Sequence, residues 1–380
     1  MKPLIVSIFA LATLFTACGG ATPAATSVPG GGATAAADPC GVPVKGKCPT
    51  EANALTGAGA TFPAPIYTKW VDEYNKLTNV QINYQAVGSG GGIKSFTDKT
   101  VDFGASDVPL TDAQIDAIAT GLYMVPTIMG AVVPTYNIPN VTASLKFTPD
   151  ALAGIYLGTI TKWNDPKITS ENTGVTLPDT AITTVHRSDG SGTTGVFTDY
   201  LSKISADWKT KVGSATSVNW PGGVGGSGNA GVAGAVKSTP GAIGYVELIY
   251  AIQNKITYGV VKNAAGNYVE ASLDSTTKAA DGFTMPDLGN LKGQQAKISI
   301  TNSSNADAWP ISTFTFLLVG KDISDKAKAQ AILRFAWYGT HEGQVFAKEL
   351  GYAPLPAGVV TSAEAVLRAV TSGGTAVLPK

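Results

Sequence analysis

The chain is short of charge and of metal-binding side chains. Asp, Glu, Lys and Arg make up only 14% of its 380 residues, against roughly 25% in an average soluble domain. Lys plus Arg and Asp plus Glu number 27 each, so the formal net charge is zero. Nucleic-acid binders normally carry a basic excess, and that class is excluded. Two histidines, His186 and His341, and three cysteines are too few for a Cys/His zinc centre. No metal and no cofactor is expected. Beyond the N-terminus, no apolar run reaches the roughly 18–20 residues that a membrane-spanning helix needs. Hydrophobic residues, at 44%, suffice for large cores and exclude wholesale disorder. Glycine is abundant, 44 residues in all, where average usage is roughly 7%. The length suits two or three domains.

Lys2 precedes an apolar run from Leu4 to Ala17, too short to span a bilayer, which reads as a signal peptide over residues 1–17. Small residues ahead of Cys18 resemble a bacterial lipobox, with Cys18 as the lipidated first residue of the mature chain. Phe15 departs from the usual leucine, and an ordinary cleavage site with a free Cys18 is the alternative. Residues 18–50 are rich in Gly, Ala, Thr and Pro, and are expected to be a lipid-anchored flexible tether. As a coil it would span about 30 Å. Cys40 and Cys48 lie within it, and in an oxidising compartment they are a possible local disulfide.

From Leu55 onward, strand and helix patterns alternate, which points to mainly parallel sheets. Helices are expected over 64–77, 93–99, 196–203, 324–338 and 341–350, the last two stopped by Gly339 and Gly351. Strands are expected over 80–87, 101–105, 131–136, 182–186 and 313–319. The six tryptophans are scattered and read as packing.

One arrangement recurs. A Gly/Ser/Thr-rich turn opens a helix at Gly57–Phe62, at Gly88–Gly92 and at Asp189–Thr193. The first turn of a helix leaves N–H groups without intrahelical partners, and its dipole end is positive. Hydroxyls on Thr61, Ser89, Ser191 and Thr193 add donors, so such junctions can hold oxyanions. A single junction is explained by ordinary N-capping; three in a chain with no cationic surplus point to an anion site. Arg187 can supply a planar donor fork. Asp107 is an acceptor, useful only to a ligand that brings a proton, as hydrogen phosphate does and sulfate does not. Asp107 serves equally well as an N-cap for residues 109–119.

Competing motifs are weaker. Gly190–Gly195 and Gly226–Gly231 both match G-x-G-x-x-G, but no acidic residue ends a second strand where a dinucleotide fold requires one. Gly91–Ser95 lacks the glycine that an NTPase loop needs before its lysine. Ser191 lacks the G-x-S-x-G setting of a hydrolase. A phosphatase or phosphotransferase using Ser191 or Thr193 would need a metal or base that the sequence does not offer, so no enzymatic activity is expected.

At these junctions the chain resembles the phosphate-binding protein of the bacterial high-affinity phosphate ABC importer. The similarity runs through LTGAGATFPAPIYTKW (55–70), 88–93, VDFGASDVP (101–109), IYLGTITKW (155–163), RSDGSGTTGVFTDY (187–200), PGAIGYVELIY (240–250) and DAWPIS (307–312). It implies an α/β, two-lobed periplasmic-binding-protein fold (venus-flytrap, type II) with two interlobe crossovers. The implied first lobe is 51–130 plus 306–380, and the second is 131–305. The implied phosphate ligands are Thr61, Phe62, Ser89, Asp107, Arg187, Ser191, Gly192 and Thr193, with Asp189 orienting Arg187. The resemblance also implies a monomer outside the cytoplasm, lipid-anchored to the outer face of the cell membrane or periplasmic. Its partners would be inorganic phosphate and a membrane permease with ATPase subunits.

Overall fold

Strands and helices alternate through residues 40–378, the part of the chain described in the computed structural model. The proposed signal peptide, Cys18 and most of the tether lie outside the described residues. In order, β1 (Ala54–Gly59), α1 (Ala64–Thr78), β2 (Gln81–Ala86), α2 (Ser89–Thr97) and β3 (Phe103–Ser106) form a parallel βαβαβ unit ordered β2-β1-β3. In α1, Ile66, Tyr67, Trp70 and Tyr74 recur at helical spacing and are all buried. Trp70 also donates its indole N–H to the Gly343 carbonyl (2.7 Å).

After a short helix, Asp112–Asp116, the chain enters β4 (Leu122–Asn137), sixteen residues long and buried almost throughout. Further on come β5 (Thr183–Arg187), α3 (Gly192–Ile204), β6 (Val224–Gly226), α4 (Gly228–Ser238), β7 (Ala242–Glu247), α5 (Leu248–Asn254) and β8 (Thr257–Tyr258). Last are β9 (Ser312–Gly320) and α6 (Lys326–Thr340). The main sheet is ordered β2-β1-β3-β9-β4-β7-β5-β6, with β8 also on β4. Its two halves share β4. Leu122–Ala131 pair with β9, whereas Val132–Asn137 pair with β7. The protein is therefore a mixed α/β, two-lobed type II fold in which β4 is one crossover. The return passes alongside it, where Val132 N–H bonds the Ile311 carbonyl (2.9 Å) and Trp309 Nε1 bonds that of Val132 (3.0 Å).

The sheet is less parallel than strand–helix alternation suggests, because the pairs β3/β9, β9/β4 and β4/β7 at its centre are antiparallel. A chain that crosses between lobes and returns must lay its two crossing strands in opposite directions. Pro126, which has no N–H to give a ladder, sits where the β4/β9 register shifts.

Two helices begin four residues ahead of expectation. α2 starts at Ser89 rather than 93, and α3 starts at Gly192 rather than 196. Glycine is a poor helix former, so its runs look like loops. Here packing selects it: a Cβ on Gly92 would lie 2.3 Å from Gly59 Cα, inside the contact between α2 and β1. Residues 341–350 form two 3-10 turns, Glu342–Phe346 and Lys348–Leu350, instead of an α-helix. Gly339 does not stop α6 but lies within it, against the Trp70 ring.

The last part of the expected tether, residues 40–50, is not a free coil. Cys40 and Cys48 are joined in a disulfide, and Cys48 is fully buried. Fully buried Arg334 on α6 donates to the Gly41 carbonyl (2.8 Å) and to Glu51 (2.9 Å), while Val44 N–H bonds Glu342 (3.0 Å). Residues 40–50 are thus docked on the folded body. The composition that suggested a coil is offset by one buried ion pair and its carbonyl contacts.

Candidate functional site

The first junction is the turn after β1. Its three successive carbonyls are each held by a phenol: Ala60 by Tyr84 (2.7 Å), Thr61 by Tyr250 (2.5 Å) and Phe62 by Tyr352 (2.6 Å). In a trans peptide the N–H opposes the C=O. The Thr61 and Phe62 N–H groups therefore point away from these phenols. The second junction is the start of α2, where Gly88 adopts φ 87° and fully buried Ser89 begins the helix. A Cβ on Gly88 would lie 2.4 Å from Asp189 Oδ2, so glycine is required there both for its conformation and for the close approach.

The third junction follows β5. Arg187 is buried and clasped by Asp189, Nε to Oδ1 at 2.8 Å and Nη2 to Oδ2 at 2.5 Å. Ser191 caps α3 by accepting the Thr194 N–H (3.0 Å), and Ser191 and Thr193 are both fully buried. Burial alone would raise the Asp189 pKa. The hydrogen bonds and charge of Arg187, with the Gly228 N–H, hold it below the usual range.

Asp107, at the end of β3, closes the ring. Its Oδ1 accepts from Thr315 on β9 (2.8 Å), and its N–H bonds Ser89 Oγ (3.3 Å). Its Oδ2 is buried and takes no hydrogen bond from the described residues. A Cβ on Gly192 would lie 2.3 Å from Ser89 Oγ and 2.5 Å from Asp107 Oδ2, so only glycine lets α3 come this close. Burial pushes the Asp107 pKa up to about 7, with Thr315, Arg187 and Ser89 pulling it back. Asp107 is not an N-cap. Thr111 caps the short helix Asp112–Asp116, forming a reciprocal box with Gln114.

The eight residues expected to hold a ligand, and Asp189 that orients Arg187, therefore meet where the two lobes face each other. Sequence reasoning missed two further residues. Asn229 opens α4 and donates Nδ2 to Thr61 Oγ1 (2.9 Å) and Thr193 Oγ1 (3.1 Å). It lies in Gly226–Gly231, which looks like a chance dinucleotide match but is a fourth Gly/Ser turn opening a helix onto the same cleft. The repeated pattern was the available signal. Glu247 is fully buried at the end of β7, capping α5 through the Ile249 N–H (3.0 Å). Burial raises its pKa well above the ordinary carboxylate value; nothing in its sequence context signals this.

His186 stacks on Trp220 (5.0 Å between centroids), and the Thr193 hydroxyl accepts from Arg187 and Asn229. A cavity of about 200 Å³ bordered by Thr61, Val87, Asp189, Asn229 and Tyr250 marks the mouth of the cleft. A larger one, about 280 Å³, lies on the far side of Asp107 among Val108, Val196 and Phe316, and flanks the donor ring without containing it.

The arrangement is a ring of neutral donors and one guanidinium around a single buried acceptor. Residues 30–338 match a family described as the PBP superfamily domain. The phosphate-binding protein PstS of Xylella fastidiosa (strain 9a5c) is 47% identical over 83% of this chain and 85% of its own. The protein of the same name from Pasteurella multocida (strain Pm70) is 43% identical over 83% and 90%. Among solved structures, a high-affinity periplasmic phosphate-binding protein (PfluDING) with bound phosphate superposes with a TM-score of 0.66. It covers 82% of this chain and 93% of that one at 20% identity, a likeness of fold. With the junction sequences and the two-lobed fold, these similarities make the chain a member of the PBP superfamily, within the phosphate-binding receptors of phosphate ABC importers.

Proposed function

We propose that this chain binds inorganic phosphate between its lobes, outside the cytoplasm, and delivers it to an ABC permease with its ATPase subunits. The observation that carries the reading is Asp107: a buried acceptor with an unpartnered oxygen, set among donors beside Arg187. Phosphate carries a proton at neutral pH and can donate it to Asp107 Oδ2. Its other oxygens accept from the Thr61 and Phe62 amides, from Ser89, from the Arg187 fork, and from Ser191, Gly192 and Thr193 at the start of α3. Charge-assisted bonds of this kind contribute about 1.5–3 kcal/mol each. Several neutral donors hold a dianion without a global positive field, which suits a chain of zero net charge. Asp189 keeps the planar guanidinium aimed. Opening and closing of 51–130 plus 306–380 against 131–305 would admit and trap the anion. The receptor acts as a monomer without turning over its ligand, and lipid on Cys18 would hold it to the membrane through residues 18–39.

Titration calorimetry of the purified protein tests this. One phosphate should bind per chain, with sulfate and nitrate far weaker. Absence of phosphate binding, or equal affinity for sulfate at pH 8, would overturn the reading.

A further inference from the structure

Contacts between protein atoms join the lobes at several places, among them three beside the proposed phosphate site. Gly90 N–H bonds the Gly190 carbonyl (2.9 Å), the Asn229 side chain bonds Thr61 Oγ1 (2.9 Å), and the Tyr250 hydroxyl bonds the Thr61 carbonyl (2.5 Å). Two of them converge on Thr61, one on its side chain and one on its carbonyl. Tyr250 reaches it from α5, a second-lobe helix whose first turn is capped by Glu247 directly after β7. Asn229 is held in turn through its Oδ1, which accepts the Glu247 N–H (3.0 Å). Glu247 is paired with Val132 at the point where β4 passes from one lobe to the other. The latch and the crossover thus share one residue.

We infer that Tyr250 and Asn229 form a latch that grips Thr61 when the lobes are shut and sets how long the closed form persists. The inference rests on the proposed phosphate-receptor reading. Tyr250 is a positioning residue: its hydroxyl holds the carbonyl of the peptide whose N–H belongs to Phe62, so the latch also aims that donor. Because the contact is made between protein groups on both lobes, it favours closure around any occupant. It therefore changes residence time without changing discrimination between anions.

The test is Tyr250→Phe in the full chain, which keeps the ring and removes only the hydroxyl. Release of labelled phosphate is followed after a chase with excess unlabelled phosphate, and sulfate competition is measured in parallel. Loss of one such hydrogen bond should speed release about 2- to 12-fold, with the phosphate/sulfate ratio unchanged. A release rate within twofold of wild type overturns the latch, as does a faster rate accompanied by a changed anion ratio. Wild-type protein that retains no labelled phosphate at all overturns the receptor reading instead, so the two failures are distinct. Should Tyr250→Phe fold poorly, Asn229→Ser, which keeps a short donor but cannot span to both threonines, is expected to speed release in the same range.

Discussion

Replacing Asp107 by Asn should bring the affinities for phosphate and sulfate together. In the wild type, Oδ2 lies buried between Ser89 and Gly192 and takes no hydrogen bond from the described residues. A phosphate proton can satisfy it through a charge-assisted bond of about 1.5–3 kcal/mol. Sulfate brings no proton, and leaves a buried charged acceptor facing an anionic oxygen, at a cost of about 1–3 kcal/mol or more. The substituted amide would weaken the phosphate bond and offer sulfate an N–H. Phosphate affinity should fall about tenfold or more and sulfate affinity should rise about as much, so their ratio narrows by roughly a hundredfold. Calorimetry at pH 8, where wild-type Asp107 is ionised, measures both constants. A ratio within threefold of wild type would refute the role of Asp107. The same carboxyl predicts a pH dependence. Its folded-state pKa is raised to about 7, from about 3.9 in an unfolded chain. Between those values the folded protein holds a proton that the unfolded chain has released. Stability in the absence of phosphate therefore falls as pH rises from about 4 to about 7 and levels off above. The full effect is of order 4 kcal/mol. Asp107→Asn should lack that component, so its melting temperature relative to wild type should climb across this window. A constant difference between pH 4.5 and 8 would count against a buried, proton-holding Asp107.

Asp189→Ala separates aim from charge. It makes the site more positive but frees the Arg187 fork, and phosphate affinity by calorimetry should drop about tenfold; tighter binding would show that field, not geometry, governs the site. Gly192→Ala would put a methyl against Ser89 Oγ and Asp107 Oδ2. It should weaken phosphate more than a hundredfold while leaving each lobe folded, and near-normal affinity would mean that the lobes do not close this far around the ligand. Ser191→Ala removes both a helix cap and a donor. Thermal denaturation should show a loss of about 1 kcal/mol, with affinity down about tenfold, and an unchanged melt would remove the capping role.

The donors of the cleft were legible because the chemistry of an anion site coincides with that of a helix start. Thr61, Ser89, Ser191 and Thr193 advertise themselves as hydroxyls after glycine turns, and all converge. What could not be seen was which glycines were helical. Gly90, Gly91 and Gly92 look like loop, but they form the first turn of α2 because the neighbouring backbones leave little room for a Cβ at Gly90 and none at Gly92. Asp107 stayed ambiguous for a similar reason. A cap and a ligand acceptor have the same local sequence, and only the distant Thr315 and Gly192 distinguish them. Asn229 was hidden by a motif that glycine-rich chains match by chance. Residues 40–50 have the composition of a coil, yet they are held by Arg334, nearly 300 positions away.

Phosphate and arsenate share shape, charge and a transferable proton, and arsenic scatters anomalously. The account predicts one strong anomalous peak in crystals grown with arsenate, placed between the lobes so that the arsenate oxygens reach Thr61, Ser89, Asp107, Arg187, Ser191 and Thr193. A peak elsewhere on the protein, or none between the lobes, would contradict it.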